Sequence, residues 1–161
     1  MIPLRLLSNR VNRSYKGGLL LEEWQGLSRP ADSSRPEEWL SSVVKARNKQ
    51  EIKGEGLSKV LTADDRIEAF ADLIAKDAER LLGKEHVQQF GANPAVLIKV
   101  LDAAVRLSIQ VHPTRAYAKE HFDSEFGKTE AWYIMGGREI DGEKPYVLAG
   151  FKPGMTREIW K

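Results

Sequence analysis

Ser108-Ile109-Gln110-Val111-His112-Pro113, followed by Lys128-Thr129-Glu130-Ala131-Trp132-Tyr133-Ile134-Met135, carries the chain's clearest alternation of polar and apolar side chains. Side chains along a β-strand alternate between faces, so residues two apart point the same way. Over 106–112 this parity puts Ser108, Gln110 and His112 on one face and Ile109 and Val111 on the other, where they can join a core. Over 128–135 it groups Lys128, Glu130 and Trp132. Two neighbouring strands of this kind aim an imidazole, an amide oxygen and a carboxylate at one point. That is an N/O donor set for a divalent ion, open to zinc, manganese or iron. Each group also has an ordinary reading. His112 can be a strand-end histidine, and Lys128 with Glu130 a surface ion pair worth under about 1 kcal/mol.

Outward from this pair, Pro113 ends the first strand because it cannot donate to a ladder, and a short helix is expected at 114–121. Tyr146–Phe151 reads as a further strand, with turn chemistry at Gly136-Gly137 and Asp141-Gly142. The second half therefore reads as antiparallel sheet. Val96–Leu101 and the segment Glu38–Val44 add strands, residues 31–36 a loop, and residues 48–58 a mobile loop. The clearest helix is predicted over 63–82. Ile67, Phe70, Ile74, Ala78 and Leu81 form its apolar stripe, Thr62 its N-cap and Gly83 its stop.

Composition bounds the function. The chain has 161 residues, close to the roughly 150 of one domain. With 42% hydrophobic and 30% charged residues it reads as one soluble globular domain, residues 1–161. Twenty-five Lys and Arg against 23 Asp and Glu give a net charge of +2, not the basic footprint of a nucleic-acid binder. No cysteine is present, which excludes disulfides, thiolate metal sites and a cysteine nucleophile. No apolar stretch approaches the roughly 20 residues that span a bilayer. A cytoplasmic protein without nucleic-acid or membrane partners is the expectation.

Ser-Ile-Gln-Val-His-Pro at 108–113, with Gly-Lys-Thr-Glu-Ala-Trp-Tyr-Ile at 127–134, resembles type I phosphomannose isomerase. Pro36-Glu37-Glu38-Trp39, Leu97–Asp102 and Gly150-Phe151-Lys152-Pro153-Gly154 extend the likeness across almost the whole chain. The resemblance implies a mainly β, cupin-like double-stranded β-helix (jelly roll) with added helices. It implies interconversion of mannose 6-phosphate and fructose 6-phosphate, with a hexose 6-phosphate as partner and one divalent ion, zinc first, as cofactor. It carries the metal ligands onto Gln110, His112 and Glu130. Lys128 becomes the catalytic candidate, for proton handling or for holding an anionic oxygen. Ser108 and Lys99 become substrate-binding candidates, and Glu38 a group that orients a ligand. Family members are longer, with a later histidine as fourth ligand and a later arginine. The expectation is therefore an N-terminal, incomplete portion of such an enzyme. The competing expectation is a non-catalytic cupin-like carbohydrate-binding or regulatory module.

Overall fold

The computed structural model describes residues 3–160. In chain order its elements are β1 (Arg5–Leu6), β2 (Arg10–Val11), α1 (Leu19–Trp24), β3 (Glu37–Leu40), β4 (Lys59–Leu61) and β5 (Ile67–Ala69). There follow α2 (Phe70–Lys76), α3 (Ala78–Leu82), α4 (Lys84–Phe90), β6 (Ile98–Leu101), α5 (Arg115–Phe122) and α6 (Arg157–Trp160). The strands form two three-stranded antiparallel sheets, ordered β1-β4-β5 and β2-β3-β6. The chain divides into two compact units, Met1–Glu130 and Ala131–Lys161. No described helix is long and apolar enough to cross a membrane.

The sheet β2-β3-β6 sits at the centre of the first unit. Its register pairs Glu37 with Leu101, Trp39 with Lys99, and Val11 with Glu37. Directly paired residues share a face. Val11, Glu37, Trp39, Lys99 and Leu101 therefore project together, while Arg10, Glu38 and Val100 project from the other face. Val11, Val60 and Ile74 are fully buried. Asp102, just past β6, accepts from the N–H groups of Gly18 and Leu20 through Oδ2, at 3.1 and 2.8 Å. This satisfies donors at the start of α1 that no side chain of its own cap reaches. Gly17 lies so close to this turn that a Cβ there would meet the Asp102 carbonyl oxygen at 1.9 Å.

Several sequence expectations hold at the level of elements. The predicted strand Val96–Leu101 contains β6, Glu38–Leu40 lies in β3, and α5 begins after Thr114, whose hydroxyl accepts from the Tyr117 N–H at 3.3 Å. Gly83 ends α3 with φ 89°. The single helix over 63–82 does not form. Thr62 is no N-cap: its hydroxyl bonds Asp64 and the Arg66 carbonyl within a turn. Ile67–Ala69 then pairs with Lys59–Leu61 as a hairpin. Helix begins only at Phe70 and breaks at Asp77, whose φ of −152° is not helical. A turn with Asp65 at φ 60° brings two alternating segments side by side, and their ladder outweighs helix propensity. His86 lies on α4, its ring 4.9 Å from that of Phe90.

The strands expected at 106–112, 128–135 and 146–151 are also absent: these segments pair into no ladder. Within the second unit, Ile140 and Glu143 form an isolated bridge around the Asp141-Gly142 turn. Small antiparallel sheets with added helices are thus present in place of the long strands expected in the second half.

Candidate functional site

Gln110, His112, Lys128 and Glu130 converge, though not by pleat parity. The segments that carry them are held by the Lys128 N–H donating to the Pro113 carbonyl at 3.0 Å. Gly127 permits that approach. A Cβ at this position would lie 2.7 Å from the Pro113 oxygen and 2.8 Å from the Arg115 nitrogen, both backbone atoms at the start of α5.

The side chains then form a chain of contacts. Lys128 Nζ donates to Gln110 Oε1 at 2.9 Å and lies 3.8 Å from Glu130 Oε2. The same Glu130 oxygen is 3.2 Å from His112 Nε2. The imidazole and carboxylate are partly shielded, with side-chain exposures of 32% and 22%. Two ligands each about 2.0–2.1 Å from a four-coordinate zinc are about 3.3 Å apart, so the His112–Glu130 separation fits a shared ion. Gln110 adds a neutral oxygen to the same cluster. Among the described residues no three His, Cys, Asp or Glu side chains gather around one ion position. Any ion here therefore depends on the Gln110 amide as third donor.

Other residues singled out in the sequence lie elsewhere. Ser108 is exposed. Glu38 is buried and its carboxylate is held by the Ser8 hydroxyl at 2.9 Å, the Asn9 N–H and the Gln25 amide at 2.7 Å. Those partners belong to the N-terminal segment and α1, so Glu38 does not orient Gln110, His112 or Glu130. Lys99 Nζ is 3.5 Å from Glu37 Oε1.

Glu37 is the polar centre that the sequence reading missed. It is 3% exposed. Oε1 accepts from the Tyr15 hydroxyl at 2.6 Å and from Lys99; Oε2 accepts from Trp39 Nε1 at 2.7 Å and pairs with Arg13 Nε at 3.0 Å. Arg13 also lies over the Trp39 ring, 4.9 Å from its centroid. Burial works to raise the Glu37 pKa. The Tyr15 and Trp39 hydrogen bonds and the Lys99 and Arg13 charges outweigh it and hold the carboxyl below its ordinary value. Burial and the Glu37 contact push the Tyr15 phenol well above its ordinary value. The sequence signal available for this cluster was the Glu37-x-Trp39 parity, with Lys99 opposite once β3 and β6 are paired.

The family model for phosphomannose isomerase type I, catalytic domain, matches residues 54–131, which contain Gln110, His112, Lys128 and Glu130. Mannose-6-phosphate isomerase of Escherichia coli K12 is 31% identical over 121 residues, 75% of this chain and 28% of that protein. Mannose-6-phosphate isomerase of Streptococcus mutans is 48% identical over 59 residues, 34% of this chain and 18% of that protein. The chain therefore spans less than a third of the length of these relatives. A crystal structure of a mutant phosphomannose isomerase from Salmonella typhimurium superposes with a TM-score of 0.57 at 28% identity, over 74% of this chain and 28% of that one. Family, relatives and solved structure agree: this chain is similar to the type I phosphomannose isomerases.

Proposed function

We propose that this chain carries the cation-binding part of a metal-dependent mannose-6-phosphate isomerase, an aldose–ketose isomerase that interconverts mannose 6-phosphate and fructose 6-phosphate. The observation that carries the reading is the contact chain Gln110–Lys128–Glu130–His112, which falls inside the matched catalytic-domain segment. The relatives' names supply the substrate class. A cupin-like double-stranded β-helix is the framework proposed for the complete site, and the antiparallel pairing of both sheets supports it.

Gln110, His112 and Glu130 are the residues that would hold the ion, with zinc proposed first because the donors are nitrogen and oxygen and the His112–Glu130 separation suits tetrahedral ligands. A bound divalent ion supplies Lewis acidity toward a sugar oxygen. The remaining work falls to this chain's side chains. Isomerisation moves a proton between adjacent carbons and relocates the carbonyl through an enediol. Lys128 is a hydrogen-bond donor whose ammonium faces a neutral amide oxygen and a carboxylate. As a charged donor it suits holding and protonating a sugar oxygen, not abstraction of a carbon-bound proton. Lys99 is anchored at its ammonium by Glu37, which restricts where it can meet a phosphate. Ser108 is exposed and available to a sugar hydroxyl.

The test is a coupled assay converting mannose 6-phosphate to fructose 6-phosphate, run beside metal analysis of the purified chain. The expected result is turnover that His112→Ala and Glu130→Gln abolish together with bound metal. Metal content unchanged in both variants overturns the ligand set. Saturable binding of the sugar phosphate without turnover assigns the non-catalytic binding role instead.

A further inference from the structure

Lys128 differs from two surface lysines that also pair with carboxylates, Lys76 and Lys119. Lys76 and Lys119 meet carboxylates from side chains about two-thirds exposed, 64% and 67%. Lys128 instead turns its ammonium between an amide oxygen and the carboxylate oxygen that His112 also approaches. Those oxygens are two of the three donors assigned to the ion. We propose that Lys128 is an internal competitor for the cation position: its ammonium engages Gln110 Oε1 and Glu130 Oε2, and a divalent ion must displace it to load. This inference rests on the metal site proposed above.

Glu130 brings one negative charge, and the Lys128 ammonium 3.8 Å away balances it. A dication held by the same oxygen would add positive charge beside that ammonium, and like charges in a partly shielded site repel. The backbone of Lys128 is pinned by its N–H to Pro113, so relief comes from the side chain alone. Its four-carbon stem carries a compact, rotatable donor, and the side chain is 43% exposed, which leaves a path outward. An anionic substrate oxygen offers the displaced ammonium a new partner. Sugar phosphate and metal then support each other's binding through this residue.

The experiment is a zinc titration of the purified chain against a chromophoric chelator at one pH and ionic strength, with circular dichroism melts alongside. Lys128→Met keeps the stem and removes the charge; Lys128→Arg keeps the charge; Lys128→Gln is the second neutral variant should the methionine fail to fold. The neutral variants are expected to bind zinc roughly tenfold more tightly than the native chain or better, with Lys128→Arg close to native. Neutral variants that fold natively and bind zinc no more tightly than the native chain overturn the competition. Absence of zinc binding from native and variant chains alike overturns the metal site itself, and the inference with it.

Discussion

Replacing Glu37 by glutamine tests how far one buried carboxylate organises the central sheet. The native side chain accepts from Tyr15, Lys99, Trp39 and Arg13, two donors on each oxygen. A glutamine keeps the shape but retains one acceptor oxygen and presents an NH2 group in place of the other. The amide will orient its NH2 toward Tyr15, because a hydroxyl can accept while the indole N–H and the guanidinium cannot. Trp39 and Arg13 then keep their acceptor, but both lose the negative charge. Lys99 loses its acceptor outright. Hydrogen bonds to charged groups contribute about 1.5–3 kcal/mol, and breaking a buried ion pair by removing one partner costs about 3–5 kcal/mol. Lys99 and Arg13 are partly solvated, with side-chain exposures of 25% and 18%, which lowers that figure. The expected cost is about 3 kcal/mol.

Urea unfolding followed by tryptophan fluorescence reads this loss as a lower midpoint with an unchanged slope. The sign of the pH dependence follows from the depressed Glu37 pKa. Its stabilising contribution is fully present above the ordinary glutamate value of about 4.3 and is lost as pH falls through the lower folded value. The gap between native and variant stabilities must therefore narrow on acidification and stay constant near neutrality. A variant within about 0.5 kcal/mol of native at pH 7, the range of ordinary surface substitutions, refutes the assignment of Glu37 as an organising charge.

Gly127→Ala places a Cβ 2.7 Å from the Pro113 oxygen, against backbone that cannot swing aside, so it is expected to separate 110–113 from 128–130 and weaken zinc binding at least tenfold in the same titration. Ile74→Ala empties a fully buried site on α2 and should cost about 2–5 kcal/mol in urea unfolding. Tyr15→Phe removes one donor from the Glu37 carboxylate while keeping the ring, for an expected loss of about 1.5–3 kcal/mol by the same measurement.

The sequence made local elements legible where local chemistry decides them. Thr114 caps α5 because its hydroxyl reaches an N–H three residues on, a relation written in the sequence. Gly83 ends α3 for a similarly local reason. The helix predicted over 63–82 failed because Ile67-Glu68-Ala69 finds a partner in Lys59–Leu61, and the turn that joins them rests on Asp65 at positive φ. Gln110, His112, Lys128 and Glu130 were identified together, but for a reason that does not hold. Alternation supplied the grouping, whereas the contacts come from unladdered segments joined by one backbone bond and a glycine that permits close approach. Glu38 was singled out over its neighbour. Only the register of β2, β3 and β6 reveals that Glu37 faces Lys99 and that Glu38 faces Arg10.

The central claim is that Gln110, His112 and Glu130 share one cation. A crystal structure of the chain grown with zinc, with anomalous scattering measured at the zinc edge, tests it most directly. A single strong peak is expected about 2.0–2.2 Å from Gln110 Oε1, His112 Nε2 and Glu130 Oε2, with the Lys128 ammonium moved away from Gln110. Zinc bound to other side chains, with Lys128 still donating to Gln110, contradicts it.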